Sequence, residues 1–242
     1  KTFPIILEQV DRITPNVKHF KFRCEQNSIF DYKPGQFITI HFEHLGKMLR
    51  RSYSIANKPE QNNMIEFAAG YVEGGPASQL LFDLKPGQQL QANGPFGRLI
   101  LKEDMPNRYI LVATSTGITP YRAMISELKN RLDKNTNLEI IILQGVQKRE
   151  DILYSKEFQD FANHSPRVLF QAHLSRDSRE DLQPFEKTGY VQTSFETLGL
   201  NPDNDVVYLC GNPKMIDDSF TYLKDKGFEM KNIIREKYIS AK

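Results

Sequence analysis

The sequence predicts two domains of different class: an N-terminal antiparallel β-barrel and a C-terminal α/β domain on a parallel sheet. Three observations carry this. Residues 1–104 alternate short β-rich runs with turn signals and hold one short helix. From residue 105 the rhythm becomes strand–helix–strand, with continuous apolar strands such as "RYILVAT" (108–114). A length of 242 residues suits two modest domains or one large one. The turn "EDMPN" (103–107) is the expected boundary, giving domains 1–104 and 105–242.

The elements follow in order. "FPIILEQVDRI" (3–13) and "NVKHFKFRC" (16–24) read as strands, the second with Val17, Phe20 and Phe22 inward. "YKPG" (32–35) turns into "QFITIHF" (36–42), which sets Phe37, Thr39 and His41 against Ile38, Ile40 and Phe42. "RRSYSIAN" (50–57) and "MIEFAAGYV" (64–72) are two more strands, and "ASQLLFD" (77–83) is the helix. "KPGQQLQANGPFGRLIL" (85–101) reads as turn, strand, a second turn at "NGPFG" (93–97), whose alternative is a wall beside a nucleotide, and a further strand. In the second domain, "TPYRAMISELKNRL" (119–132) places Tyr121, Met124, Ile125, Leu128 and Leu132 on one helical face. "LEIIILQGV" (138–146), "RVLFQAHLS" (167–175), "DVVYLCGN" (205–212) and "IIREKYI" (233–239) are strands. "YSKEFQDFANH" (154–164) and "KMIDDSFTYLKDKG" (214–227) are helices, the last ending at Gly227. This alternation predicts a parallel sheet with helices on both faces.

Composition excludes several classes. Lys+Arg is 32 against Asp+Glu 30, a net charge of +2, so no nucleic acid or anionic membrane is called for. No apolar run is long enough to span a bilayer, and "KTFPIILEQV" lacks the layout of a secretory signal. Two distant cysteines, Cys24 and Cys210, argue against a disulfide framework and for a reducing, cytoplasmic setting. They are also too few for a thiolate-held iron–sulfur cluster, and the five histidines show no zinc spacing, so no metal site is expected.

Four stretches carry chemistry. In "RRSYSIAN", Arg51 and Tyr53 share one strand face and Ser52 and Ser54 the other. A stacking ring, hydroxyls and a guanidinium fork suit a flavin nucleotide; the alternative is a solvated edge strand. "GYVEGGPASQLL" brings Gly74, Gly75, Pro76 and Ala77 to Ser78 at a helix start, which suits a pyrophosphate or is a tight turn with a serine cap. "VATSTGITPYRAM" leaves a buried strand through Thr114, Ser115, Thr116 and Gly117, with Thr119 as helix cap and Pro120 in the first turn. This is the first crossover of the sheet, where dinucleotides dock; the alternative is a well-capped helix. "VYLCGNPKM" ends a strand with a thiol small enough to sit beside a reacting ring, or with a buried cysteine acting as an apolar residue.

In this order, R-x-Y-S (Arg51–Ser54), G-x-x-S (Gly75–Ser78), T-G-I-T-P (Thr116–Pro120) and C-G-N-P (Cys210–Pro213) resemble the ferredoxin–NADP⁺ reductase superfamily over nearly the whole chain. The resemblance implies a barrel that binds FAD, an α/β domain that binds NAD(P)H, and a flavin lying between them. By matching position, Tyr53 stacks on the isoalloxazine, Ser54 approaches its N5, and Arg51 holds the pyrophosphate with Ala77 and Ser78 through the Gly75 loop. Ser52 belongs to the same FAD motif. Thr116 and Gly117 meet the pyridine-nucleotide phosphates, and Cys210 with Gly211 lies near the nicotinamide. Arg50 matches no motif position and reads as a surface charge or a secondary phosphate contact. Family members often carry glycine where Ser115 stands.

"AHLSRD" (172–177) places Ser175 and Arg176 where relatives selecting NADPH hold the 2′-phosphate, with Arg179, Lys148 or Arg149 as helpers; the alternative is a basic loop in solvent. In the tail "REKYIS", Glu236 matches a proton- or partner-handling carboxylate, and Tyr238 covers the flavin or packs in a last strand. The implied activity is an FAD-dependent reductase moving electrons between NADPH and ferredoxin or flavodoxin. Alternatives are an NADH-dependent oxygenase reductase, a free-flavin reductase, or a flavin-bearing electron-transfer subunit with an idle nucleotide site. Oligomeric state is not legible.

Overall fold

A computed structural model describes residues 1–25, 29–60, 62–103 and 106–239. The expected boundary falls on Asp104 and Met105, which lie outside these residues. Contacts gather the chain into two units: Lys1–Leu101 with Thr119–Met124, and Lys102–Ile118 with Ile125 onward.

The first unit carries β1 (Phe3–Thr14), β2 (Val17–Cys24), β3 (Phe37–His44), β4 (Lys47–Ser54), β5 (Met64–Gly70), α1 (Pro76–Asp83) and β6 (Gln89–Phe96). They form one antiparallel sheet in the order β4-β3-β6-β1-β2-β5. Period-two patterning explains the inward set: Ile5, Leu7, Phe20, Phe22, Ile38, Ile40 and Phe67 are all fully buried. Cys24 is buried with them, and burial pushes its thiol up to about 12. The two edge strands meet through Tyr53 of β4 and Phe67 of β5, whose rings stack at 4.6 Å and 17°. The Ala56 amide then donates to Glu66 O at 2.7 Å, tying the chain beyond β4 to β5.

Two expectations fail here. "NGPFG" is not a turn between strands: β6 runs on through Phe96, which pairs with Phe37, and a register shift absorbs Gly94 at φ +149°. "GRLIL" is not a strand either. Leu99 and Leu101 are buried as an irregular strap whose Leu99 carbonyl lies where a Cβ on Gly35 would stand, 1.8 Å away. Only a glycine, here at φ +100°, lets that strap pass.

The second unit carries β7 (Arg108–Thr114), β8 (Glu139–Val146), α3 (Ser155–His164), β9 (Val168–Leu174), β10 (Glu186–Thr188), β11 (Asp205–Gly211), α4 (Pro213–Asp225) and β12 (Ile233–Lys237). The helix α2 (Thr119–Lys134) leaves it from β7. The sheet is parallel throughout, in the order β10-β9-β8-β7-β11-β12. One face packs Ile110, Val112, Ile141, Leu143, Val207 and Leu209 against Met215, Ile216 and Leu223 of α4. On the other face Arg131 of α2 reaches the Tyr109 hydroxyl, and Phe158 of α3 stacks on Phe170. Helices therefore cover both faces, as the apolar strands predict. The chain runs outward from β7 to β10, then returns to β11 on the other side of β7. That reversal puts the topological switch point between β7 and β11, and ligands of such sheets bind beyond the carboxyl ends there.

Candidate functional site

On the first unit, β4 delivers the R-x-Y-S stretch. Ile40 opposes Arg51 and Ile38 opposes Tyr53, so both side chains leave on the core-facing side of β4. Tyr53 is half-buried, with Phe67 covering one face of its ring, and burial pushes its hydroxyl up to about 12. It is therefore neutral at any physiological pH. Arg51 donates to the Arg50 carbonyl at 2.7 Å and has no carboxylate partner among the described residues. Ser52 is exposed and shares a 2.9 Å hydrogen bond with Thr39; Ser54 is buried.

The Gly-rich turn leads into α1 with Gly75 as N-cap and Pro76 in its first turn. No side chain caps this helix, so its first amides point outward from a positive pole. Ser78 does not cap it. Its Oγ instead accepts from the Val72 amide at 2.8 Å, closing the loop from inside. A Cβ on Gly75 would meet Val72 O at 3.0 Å, so the tight loop favours glycine there. Uncapped amides on α1, a guanidinium without a carboxylate partner and a half-buried aromatic ring on β4 are groups that suit a phosphate-bearing aromatic ligand. The residues present fit a flavin nucleotide on these grounds.

On the second unit, the carboxyl ends of β7 and β11 interlock. The turn Ser115–Ile118 follows β7 and packs Gly117 against β11, where an added Cβ would meet Cys210 O at 2.4 Å. In return Gly211, at φ +119°, faces Thr114, whose Oγ1 would lie 2.5 Å from a Cβ. Thr114 Oγ1 accepts from the Asn212 amide at 2.8 Å, and Asn212 Oδ1 caps α4 by accepting from Lys214 and Met215. The small residues of T-G and C-G thus serve first to bring two strand ends within contact. Ser115 holds a left-handed backbone at φ +48°, which is the physical reason glycine suits that position. Thr119 is not the expected cap. Ile118 already has helical backbone at φ −72° and ψ −19° and takes the N-cap place, and the buried Thr119 Oγ1 has no partner.

Cys210 is fully buried, and burial pushes its thiol well up; Glu236 adds to that, while a hydrogen bond from Tyr238 opposes it. Cys210 and Glu236 are register partners on β11 and β12, and the Tyr238 amide donates to Gly211 O at 2.8 Å. The three tail and thiol positions therefore come together beside the switch point. Beyond β9, Ser175 Oγ donates to Val146 O at 3.1 Å, and Arg176 is exposed with only a 3.5 Å contact to Gln147. The expected helpers are otherwise engaged: Arg149 with Glu186 and Asp181, Arg179 with Asp177, and Lys148 beside Glu150.

Comparison with known proteins follows the same division. Residues 4–100 match the oxidoreductase FAD-binding domain model and residues 111–220 the oxidoreductase NAD-binding domain model. "Ferredoxin--NADP reductase B" of Sorangium cellulosum is 31% identical over 220 residues, covering 88% of each chain. The chain belongs to the ferredoxin–NADP reductase family.

As a member of that family it is an oxidoreductase with an FAD-binding and an NAD-binding domain. The phenol hydroxylase P5 protein of Acinetobacter pittii is also similar, 25% identical over 96% of this chain and 64% of its own. A Neisseria gonorrhoeae ferredoxin NADP⁺ reductase with bound FAD and NADP has the same fold, with TM-score 0.82 and 22% identity over 98% of each chain. No helix is long and apolar enough to cross a membrane, and no group of three metal-ligating side chains occurs among the described residues.

Sequence reasoning missed Phe67 as the ring behind Tyr53, although "MIEFAAG" alternates and places it inward. It also missed a charge cluster on β5. Burial alone would raise the Glu66 carboxyl, but the His19 hydrogen bond (3.2 Å) and the Arg122 guanidinium (3.0 Å) hold it down at about 2. Those partners lie 47 and 56 residues away in the chain, and no local signal links them.

Proposed function

We propose that the protein is an FAD-dependent reductase that moves electrons between NADPH and a one-electron carrier, ferredoxin or flavodoxin. The observation that carries the nucleotide choice is Arg176, an exposed guanidinium without an ion-pair partner at the carboxyl end of β9. A guanidinium forks onto a phosphate far better than onto a ribose hydroxyl. Ser175 keeps its lone pairs but donates its proton to Val146, so Arg176 supplies the charge.

FAD, when bound, would supply the redox chemistry, taking up a hydride from a dihydronicotinamide and giving electrons up singly. The protein's part is binding and alignment. Arg51 and the first amides of α1, at Ala77 and Ser78 beyond Gly75, hold the pyrophosphate. Tyr53 offers the ring face that Phe67 leaves open, and Ser54 and Ser52 complete the motif. The Thr116–Gly117 turn and Gly211 receive the pyridine-nucleotide phosphates at the switch point. Cys210 and Glu236, joined by Tyr238, flank the nicotinamide end; a neutral thiol there adds bulk without charge. These are the residues we assign to the site.

The resemblance to the reductase component of a phenol 2-monooxygenase of Pseudomonas sp., 24% identical over 95% of this chain and 63% of its own, supports a second reading, in which the carrier belongs to an oxygenase; with it goes the alternative of NADH as donor. The test is reduction of the purified yellow protein by NADPH and by NADH in a stopped-flow instrument, followed by turnover with ferredoxin and with flavodoxin. Faster bleaching by NADPH and turnover with either carrier support the proposal. Faster bleaching by NADH overturns the nucleotide choice, and no bleaching by either makes the nucleotide site idle.

A further inference from the structure

The loop after β9 is built around charges that the nucleotide reading does not itself use. Asp177, next in sequence to Arg176, accepts from the Arg149 amide at 3.1 Å, from the Arg179 amide at 3.3 Å and from Arg179 Nε at 2.8 Å. Its side chain is largely buried. Arg149 in turn grips the buried Glu186 of β10 through two nitrogens, at 2.7 and 2.5 Å, and reaches Asp181 at 3.1 Å. Glu186 also accepts from the Gln183 amide at 2.8 Å, closing the loop on itself. Two guanidiniums thus pair with three carboxylates beside Arg176, whose own guanidinium has no ion-pair partner.

The consequence is electrostatic as well as steric. A carboxylate adjacent to Arg176 would repel a dianionic phosphate arriving there, and Arg179 masks that charge. We infer that Asp177 and Arg179 form a positioning pair that sets NADPH over NADH selectivity: Asp177 anchors the loop that presents Arg176, and Arg179 neutralises Asp177 so that the 2′-phosphate is tolerated. Neither residue touches the nucleotide in this scheme. The inference rests on Arg176 being the 2′-phosphate ligand.

The experiment measures KM for NADPH and NADH with the FAD-loaded protein and ferricyanide as acceptor. Arg176→Ala tests the underlying reading. It should raise the NADPH KM about tenfold or more and leave the NADH KM unchanged; an unchanged NADPH/NADH ratio removes that reading altogether. With that result in hand, Arg179→Gln should raise the NADPH KM by about three- to tenfold at low salt, shrinking as salt is added, with the NADH KM unaffected. The double variant Asp177→Asn/Arg179→Gln, which removes the unmasked charge, should restore the NADPH KM to within about twofold of the parent. If Arg176→Ala lowers selectivity but Arg179→Gln does not, the pairing inference is wrong. If the double variant is as poor as Arg179→Gln alone, Arg179 acts as a direct ligand or a merely structural prop, and the inference is equally overturned. If Arg179→Gln folds poorly, Asp177→Asn alone decides: its amide oxygen still accepts from the loop amides and it carries no charge to mask, so the NADPH KM should stay within about twofold of the parent, and a rise of about tenfold or more would overturn the masking role.

Discussion

Gly117 shows how one atom decides a motif. The nearest atom to an added Cβ is the backbone oxygen of Cys210 at 2.4 Å, which no rotamer change can relieve. Gly117→Ala should therefore destabilise the second unit by about 1–3 kcal/mol, read from urea denaturation, before any nucleotide is added. Ser115 makes the opposite case. Its φ of +48° costs a serine about 1–2 kcal/mol, partly offset by the extra unfolded-state freedom of glycine, so Ser115→Gly should stabilise by about 0.5–1 kcal/mol. A lower urea midpoint for that variant would contradict the backbone argument. Tyr53 has a structural duty that the sequence hid. Because it stacks on Phe67 across the two edge strands, Tyr53→Phe should keep both fold and flavin, whereas Tyr53→Ala should lose stability even without flavin, about 1 kcal/mol of it from the ring pair. The candidate residues were thus legible as motifs, in order and spacing. Their packing reasons were not, because they lie in contacts between distant segments.

At the scale of elements, legibility followed periodicity. β3 and β7 announced themselves, one by alternation and one by a continuous apolar run. β6 did not, because Gly94 and Pro95 imitate a turn while the strand carries on through a bulge. The α2 start was read correctly at Thr119, but its cap was misplaced by one residue: a Thr-Pro pair reads as a cap, whereas Ile118 takes that place. β10 was too short to read, yet it delivers Glu186. The β5 charge cluster gives an element-level prediction. His19, Lys21 and Arg122 all face Glu66, and its carboxyl is held at about 2 against an ordinary value of 4.5. A lowered folded value means the stabilisation is fully present above pH 4.5 and fades as pH falls towards 2. Glu66→Gln should therefore cost about 2–3 kcal/mol at neutral pH, and the gap to the parent should close on acidification through that window. A gap that is constant from pH 7 to pH 2.5 in urea titrations would count against it, on the order of magnitude this shift implies.

For the molecule as a whole, the fold class was readable from rhythm alone, and the family from four short motifs in order. Their placement agrees with the division of labour between two units, each with its own core and its own set of candidate binding residues. Arg51→Ala, combined with Tyr53→Phe to preserve the ring pair, should lower FAD content measured by visible absorbance. Affinity for 2′,5′-ADP, a probe of the second unit, should stay within about twofold of the parent, since sites without shared partners behave independently. Loss of both affinities together would mean that the two sites do not act separately.

The two thiols offer a way to watch each unit from within. Cys24 and Cys210 lie one in each unit, both sealed from solvent and both held in the unreactive protonated form. Iodoacetamide can reach either only when its own surroundings breathe open. Alkylation followed by peptide mass spectrometry would then run as two independent clocks, timing the opening of the flavin-binding half and the nucleotide-binding half in one tube.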